Sequence, residues 1–261
     1  MNALLETVLA DLAAEGDRLE AVVAPLDESR WHTATPAEGW DIATVIAHLA
    51  WTDEAATAAA TDKAAWDALV MQAFEDPEHA VDNAAAAGAV PSAELLTRWR
   101  AARRRLADVL RTYPEGQRMP WYGPPMSATS MATARFMETW AHGLDVYAAL
   151  GVDPDVTDRI RHVAHLGVIT RDFAFATHSE EPPGERFLVS LAAPSGEVWT
   201  WGPEDAAQSV TGPAYDFCLL VTQRIHRSDT ALVASGAGAD RWLDIAQCFA
   251  GPTGEGRPPR G

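Results

Sequence analysis

Glu138 and His142 stand four residues apart in RFMETWAHGLDVYAALG (135–151), a stretch that ends on a helix-stopping glycine. A carboxylate and an imidazole at this spacing project from one helix face about a turn apart, so both can donate a lone pair to one divalent ion. At ~100° per residue, Arg135, Glu138, His142 and Asp145 fall within an arc of roughly 80°. Phe136, Met137, Trp140, Leu144 and Tyr147 occupy the opposite side. The polar stripe is either a solvated face or the lining of an interior site. Ala134, Ala141 and Ala149 lie beside its charges, with no Lys or Gln among them, which suits a crowded interior. A metal would need a third donor. His48, in GWDIATVIAHLAWTDE (39–54), lies at the edge of the apolar stripe Ile42, Val45, Ile46 and Leu49. It is either a packed boundary residue or that donor.

Neighbouring residues suggest supporting roles. Asp145, one turn after His142, could orient a second ring nitrogen, its own neighbour's or that of His48. Arg135, one turn before Glu138, could pair with it or with a substrate carboxylate. Helix-surface ion pairs are the alternative for both. Trp121 and Tyr122, in YPEGQRMPWYGPPMSATS (113–130), could wall a pocket mouth or simply cover the end of a helical bundle. His162 and His165 also have a ligand-compatible spacing, but only Asp158 accompanies them, and a structural role is expected. Cys218 and Cys248 sit in apolar helical stretches and are expected as buried core thiols. No Gly-rich phosphate loop, G-x-S-x-G elbow, Cys-x-x-Cys or H-E-x-x-H motif occurs.

The elements that must position these residues are mainly helical. Amphipathic patterns run over about 4–23, from the N-cap Asp41 to about Val70, from Ser92 to about Tyr113, and from Ser127 to Leu150 before Gly151. Four such helices read as a bundle. The small-residue stretch 76–90 reads as a mobile loop. Another helix is expected over about 156–178. After it, RFLVSLAAP, EVWTW, QSVTG and TALVAS are β-type segments, and AYDFCLLVTQRI and ADRWLDIAQCFAG are helical. The expected fold is therefore mainly α: a four-helix bundle over 1–152, a bridging helix over 153–180, a small α+β domain over 181–252 and a flexible tail over 253–261.

Composition narrows the function classes. The chain has 261 residues, of which 48% are hydrophobic, enough for a substantial core. A net charge of −17 argues against wrapping nucleic acid or anionic membrane, which need clustered cations. The basic run RWRAARRRL (98–106) reads as a solvated helix face. No run reaches the ~18 apolar residues of a membrane span, and the N-terminus lacks a signal-peptide pattern. Two cysteines suit a reducing cytoplasm.

The motifs GW-(x)7-HLAWTDE and, much later, R-x-x-E-x-x-x-H-x-x-D-(x)5-G resemble those of the DinB-like metal-dependent bundles. The likeness is greatest to the mycothiol-dependent maleylpyruvate isomerase family and covers nearly the whole chain. It implies a DinB-like bundle followed by a smaller α+β domain. It also implies a divalent metal, usually zinc, held by His48, Glu138 and His142. Mycothiol is the implied thiol cofactor, and an Arg of the second domain faces the substrate, with Arg224 the positional match and Arg227 the fallback. The second domain departs from the isomerase pattern and resembles an uncharacterised metal-binding branch. The resulting expectation is a zinc-dependent thiol enzyme, an isomerase or S-transferase, acting on a small organic acid. A thiol-independent zinc enzyme of secondary metabolism and a non-catalytic binding protein are the alternatives. Its partners would be a small-molecule substrate and a low-molecular-weight thiol, with an oligomer left open.

Overall fold

A computed structural model describes residues 2–76, 79–87, 90–251, 253–254 and 256–260. The chain divides into two units, Met1–Pro154 and Asp155–Gly261. In the first unit, α1 (Ala3–Val23), α2 (Glu28–Trp31), α3 (Ile42–Thr61), α4 (Lys63–Glu75), α5 (Ala80–Ala87), α6 (Ser92–Thr112) and α7 (Ala128–Leu150) follow in order. Helix α3 packs on α6 and α7, and α1 packs on α7 and α6, so these four form the bundle. Helices α4 and α5 lie between α3 and α6 in sequence and pack on α3.

The two helices that carry the candidate ligands are buried on most of their circumference. From Ile42 to Thr57, α3 exposes little besides Trp51, Glu54 and Thr44, all half-buried. Helix α7 is buried almost without break from Met131 to Tyr147. Such a helix is central to its fold, and any charge on it must find a partner. The polar stripe of α7 therefore looks inward, as its small residues suggested, and Trp140 on the other side is buried as well.

Local sequence sets these helices in place. Gly39 adopts a left-handed φ of 77° that a side chain would resist, and this turn delivers Trp40 and then the N-cap Asp41. Asp41 accepts the Thr44 backbone N–H at 2.8 Å. Ser127 caps α7 in the same way through Ser130, and Gly151 ends it at φ 67°, with Val152 N–H reaching back to Tyr147 O at 2.9 Å.

Three expectations for the first unit need correction. The helix expected from Asp41 to Val70 is two helices, because Asp62 leaves helical geometry (φ −142°, ψ 93°) and caps α4 by accepting Ala65 N–H. The expected loop 76–90 contains α5, whose Asp82 is anchored by Trp40; residues 77–78 and 88–89 lie outside the described residues. The basic run on α6 is not simply solvated. Arg98 pairs with Glu54 of α3, and Arg100 and Arg103 pair with Glu20 of α1, binding neighbouring helices together.

In the second unit, a 3₁₀ turn (Asp158–Ile160) leads into α8 (Arg161–Ile169) and α9 (Arg171–Thr177), which Thr170 separates in place of one long helix. Then come β1 (Leu188–Ala192), β2 (Val198–Trp201), β3 (Ser209–Pro213), α10 (Ala214–Val221), β4 (Val233–Ser235) and α11 (Ala237–Ile245). The sheet order is β2-β1-β3-β4; β1 and β3 are parallel and the other pairs antiparallel. Val189, Leu191, Trp199 and Val210 point from the sheet into a core completed by Phe217 and Trp242.

Helices α8 and α10 meet at Gly167. A Cβ there would come within 2.9 Å of Phe217 and 3.0 Å of Val221. Gly167→Ala is expected to overpack this contact and cost about 1–3 kcal/mol, read as a lowered Tm. Melting like the wild type would show that the contact yields freely.

Candidate metal centre

His48 comes from the middle of α3, and Glu138 and His142 from adjacent turns of α7. Nε2 of His48 and Nε2 of His142 each lie 3.4 Å from the same carboxylate oxygen, Glu138 Oε2. One nitrogen or oxygen from each of the three lies within 4.8 Å of the others. A 3.4 Å separation is longer than an ordinary N–H···O bond. It equals the edge of a tetrahedron about an ion with bonds of ~2.0–2.1 Å, roughly 3.4 Å. The donor set, two imidazoles and one carboxylate, is one that zinc accepts while keeping a position open. These residues therefore fit a divalent ion.

The electrostatics agree with that fit. Burial pushes the His48 imidazole down to about 4, against the hydrogen bond to Glu138 that favours its charged form. His48 is thus neutral at neutral pH, which leaves a lone pair for a ligand bond. Burial also raises the Glu138 carboxyl, but the hydrogen bonds of His142 and His48 and the charge of Arg135 together hold it well below the usual range. Glu138 is a carboxylate, as a ligand must be. His48 Nδ1 is buried with no acceptor or donor among the described residues.

Aromatic rings pack around the three candidate ligands. Trp40 stacks on His142 at 5.5 Å with an interplanar angle of 12°, and its centroid lies 5.0 Å from that of His48. The indole N–H of Trp40 donates to Asp82 of α5 at 2.8 Å. On the other flank, Trp51 lies 6.1 Å from His48 and 6.4 Å from Tyr122, and Tyr122 packs on Trp66 at 4.9 Å. Trp121 stacks on Trp66 at 5.7 Å. Met119 and Met126 exchange backbone hydrogen bonds of 2.8 and 2.9 Å, closing the loop that presents Trp121 and Tyr122.

The remaining sequence candidates fall at different places. Asp145 is buried with Oδ2 3.6 Å from His142 Nδ1, on the far side of the ring from Glu138. Arg135 is buried, with Nη2 3.7 Å from Glu138 Oε1 and its guanidinium over Trp121 at 5.2 Å. Arg224 belongs to the other unit. Gln223, in left-handed geometry at φ 58°, turns the chain after α10, and Arg224 Nη1 donates to Thr222 O at 2.6 Å. Arg227 is paired with Asp240 and Asp244. His165 receives the Trp201 indole N–H at 3.3 Å, and Cys218 and Cys248 are both buried. Sequence reasoning missed Trp40, Trp51 and Asp53 as parts of the site. All three lie inside the motif around His48, Trp40 just before the N-cap of α3 and Trp51 and Asp53 on it, and their signal was an acid and two indoles in the segment that carries a candidate ligand.

A bundle that converges two imidazoles and a carboxylate on one point, joined to a small α+β unit, defines the class of protein. The family described as the mycothiol maleylpyruvate isomerase N-terminal domain matches residues 12–147. The chain belongs to that family. A second family, described as wyosine base formation, matches residues 183–235, which contain the sheet. Two proteins of Mycobacterium tuberculosis, from strains CDC 1551 / Oshkosh and ATCC 25618 / H37Rv and each described as uncharacterized, are 56% identical over 250 residues, 95% of this chain and 97% of theirs. Among solved structures, the mycothiol-dependent maleylpyruvate isomerase aligns with TM-score 0.57 at 18% identity, covering 90% of this chain and 96% of that one. A mutant of that isomerase with one histidine replaced by alanine gives 0.59. These structures share the fold. Among the described residues, no helix is long and apolar enough to cross a membrane.

Asp53 gives the site a pH-dependent cost. Burial pushes its carboxyl up to about 7, against the opposing charges of Arg135 and Arg103. In the unfolded chain it ionises near ~4. Between those values the folded state keeps a proton that the unfolded state has released, so stability falls as pH rises and the full penalty applies above about 7. Asp53→Asn should melt above the metal-free wild type by a margin that opens from about pH 4 and is complete near pH 7, up to ~4 kcal/mol. A margin equal at pH 5 and pH 8 would contradict a raised carboxyl.

Proposed function

We propose that this protein is a metal- and thiol-dependent enzyme, an isomerase or S-transferase acting on a small organic acid, with zinc held by His48, Glu138 and His142. The observation that carries the reading is the convergence of both imidazoles on one Glu138 oxygen at 3.4 Å. Family membership supports the thiol, as does the fold shared with a mycothiol-dependent isomerase. A divalent ion held at this point would lower the pKa of a coordinated thiol, so that a mycothiol-type cofactor would supply the nucleophile.

The protein's own groups prepare the place. His48 stays neutral because it is buried. Asp145 faces the other nitrogen of His142 and favours the tautomer whose Nε2 is free to bind. Trp40 covers both imidazoles and excludes water from one side. Neither cysteine is placed to act as a nucleophile here: burial pushes the Cys218 thiol well up, and Cys248 is buried too. Trp121 and Tyr122 would form part of the approach.

Cobalt(II)-substituted protein titrated with mycothiol tests this reading. A new near-ultraviolet sulfur-to-cobalt charge-transfer band, absent in His142→Ala, is the expected result. Cobalt bound with an unchanged spectrum at saturating mycothiol would contradict the thiol half of the reading and leave a thiol-independent metal enzyme.

A further inference from the structure

Arg135 is only 3% exposed, yet Nε and Nη1 of its guanidinium are buried without an acceptor among the described residues. One of these donors belongs to each of the two edges through which an arginine can grip a carboxylate. The nearest anion is Glu138, whose Oε1 is 3.7 Å from Nη2, beyond hydrogen-bonding range. That carboxylate also faces both histidines, so it cannot serve the guanidinium fully. Asp53 feels Arg135 as its strongest favourable charge, but burial keeps its carboxyl protonated over much of the range below pH 7. A buried cation left this way is costly unless something anionic completes it.

The position of the guanidinium says what can reach it. It lies between the Glu138 carboxylate and the ring of Trp121. From Trp121 the aromatic wall continues to Tyr122, which is 40% exposed, so the wall runs from the interior to the surface. We propose that Arg135 is the anchor of a carboxylate-binding subsite beside the three ligands, and that the substrate enters along the Trp121–Tyr122 wall with its carboxylate leading. The inference deepens the thiol-enzyme reading, on which it rests for what the bound acid would react with. It makes Arg135 a binding residue in its own right and not only a partner of Glu138.

Titration calorimetry with succinate, and with its neutral diamide as control, tests the subsite on EDTA-treated and zinc-loaded protein. Succinate should bind and the diamide should not. Arg135→Gln should weaken succinate about tenfold or more, the value of one charge-assisted pair, and Arg135→Lys should recover part of the loss. Zinc affinity should stay within about threefold, since the metal's donors lie elsewhere. At pH 8, where Asp53 is ionised and competes for the guanidinium, Asp53→Asn should bind succinate more tightly. Succinate binding unchanged in Arg135→Gln overturns the proposal. So does a parallel loss of zinc, which would make Arg135 a positioning residue for Glu138. If Arg135→Gln does not fold, Asp53→Asn at pH 8 decides: tighter binding there supports the subsite, and unchanged or weaker binding overturns it. Arg135-dependent succinate binding by a protein that never takes zinc would uphold the subsite and remove the metal reading.

Discussion

A carboxylate held inside a helical bundle between two imidazoles is the interaction on which the rest of the site depends. Glu138 loses water on burial, and that alone would protonate it. His142, His48 and Arg135 together reverse the balance and keep it ionised. None of the three contacts is short: the imidazoles stand at 3.4 Å and the guanidinium at 3.7 Å. Close ion pairs would collapse the group into a salt bridge. This spacing instead leaves a point that all three candidate ligands face, where a cation would meet the carboxylate and both lone pairs together.

The fold serves that point by giving up exposed faces on two helices. Helices α3 and α7 are surrounded, so their polar residues have interior neighbours in place of water. Small side chains such as Ala47, Ala50, Ala134 and Ala141 let them approach. The turn at Gly39 then inserts Trp40 over both imidazoles, and α5 holds the indole through Asp82. On the opposite flank the loop closed by Met119 and Met126 brings Trp121 over Arg135. Stability is given up at Asp53, whose carboxyl burial pushes up to about 7, and at Arg135, whose Nε and Nη1 are buried without an acceptor among the described residues.

Much of this was legible in the sequence. The alanines beside Glu138 and His142 already favoured an interior stripe over a solvated one, though the i, i+4 spacing fits either. The caps at Asp41 and Ser127 and the stop at Gly151 placed the ends of the helices. What sequence could not supply was the pairing between elements. Nothing local shows that Trp40 stacks on a histidine of the last bundle helix, or that the arginines of α6 bind acids of α1 and α3. The break at Asp62 was also hidden, because Asp caps a new helix only if the chain turns there, and alanine-rich flanks allow it to continue. Asp53 stood out only once its helix proved to be enclosed.

The central claim is that His48, Glu138 and His142 form one divalent-metal site. The most direct measurement is zinc content per chain after dialysis against a weak chelator, for the wild type and for Glu138→Gln. The substituted amide would keep the shape of the side chain and remove the charge that two imidazoles and a metal require. About one equivalent in the wild type and almost none in the variant is the predicted result. Equal zinc in both proteins, or none in either, would contradict the account.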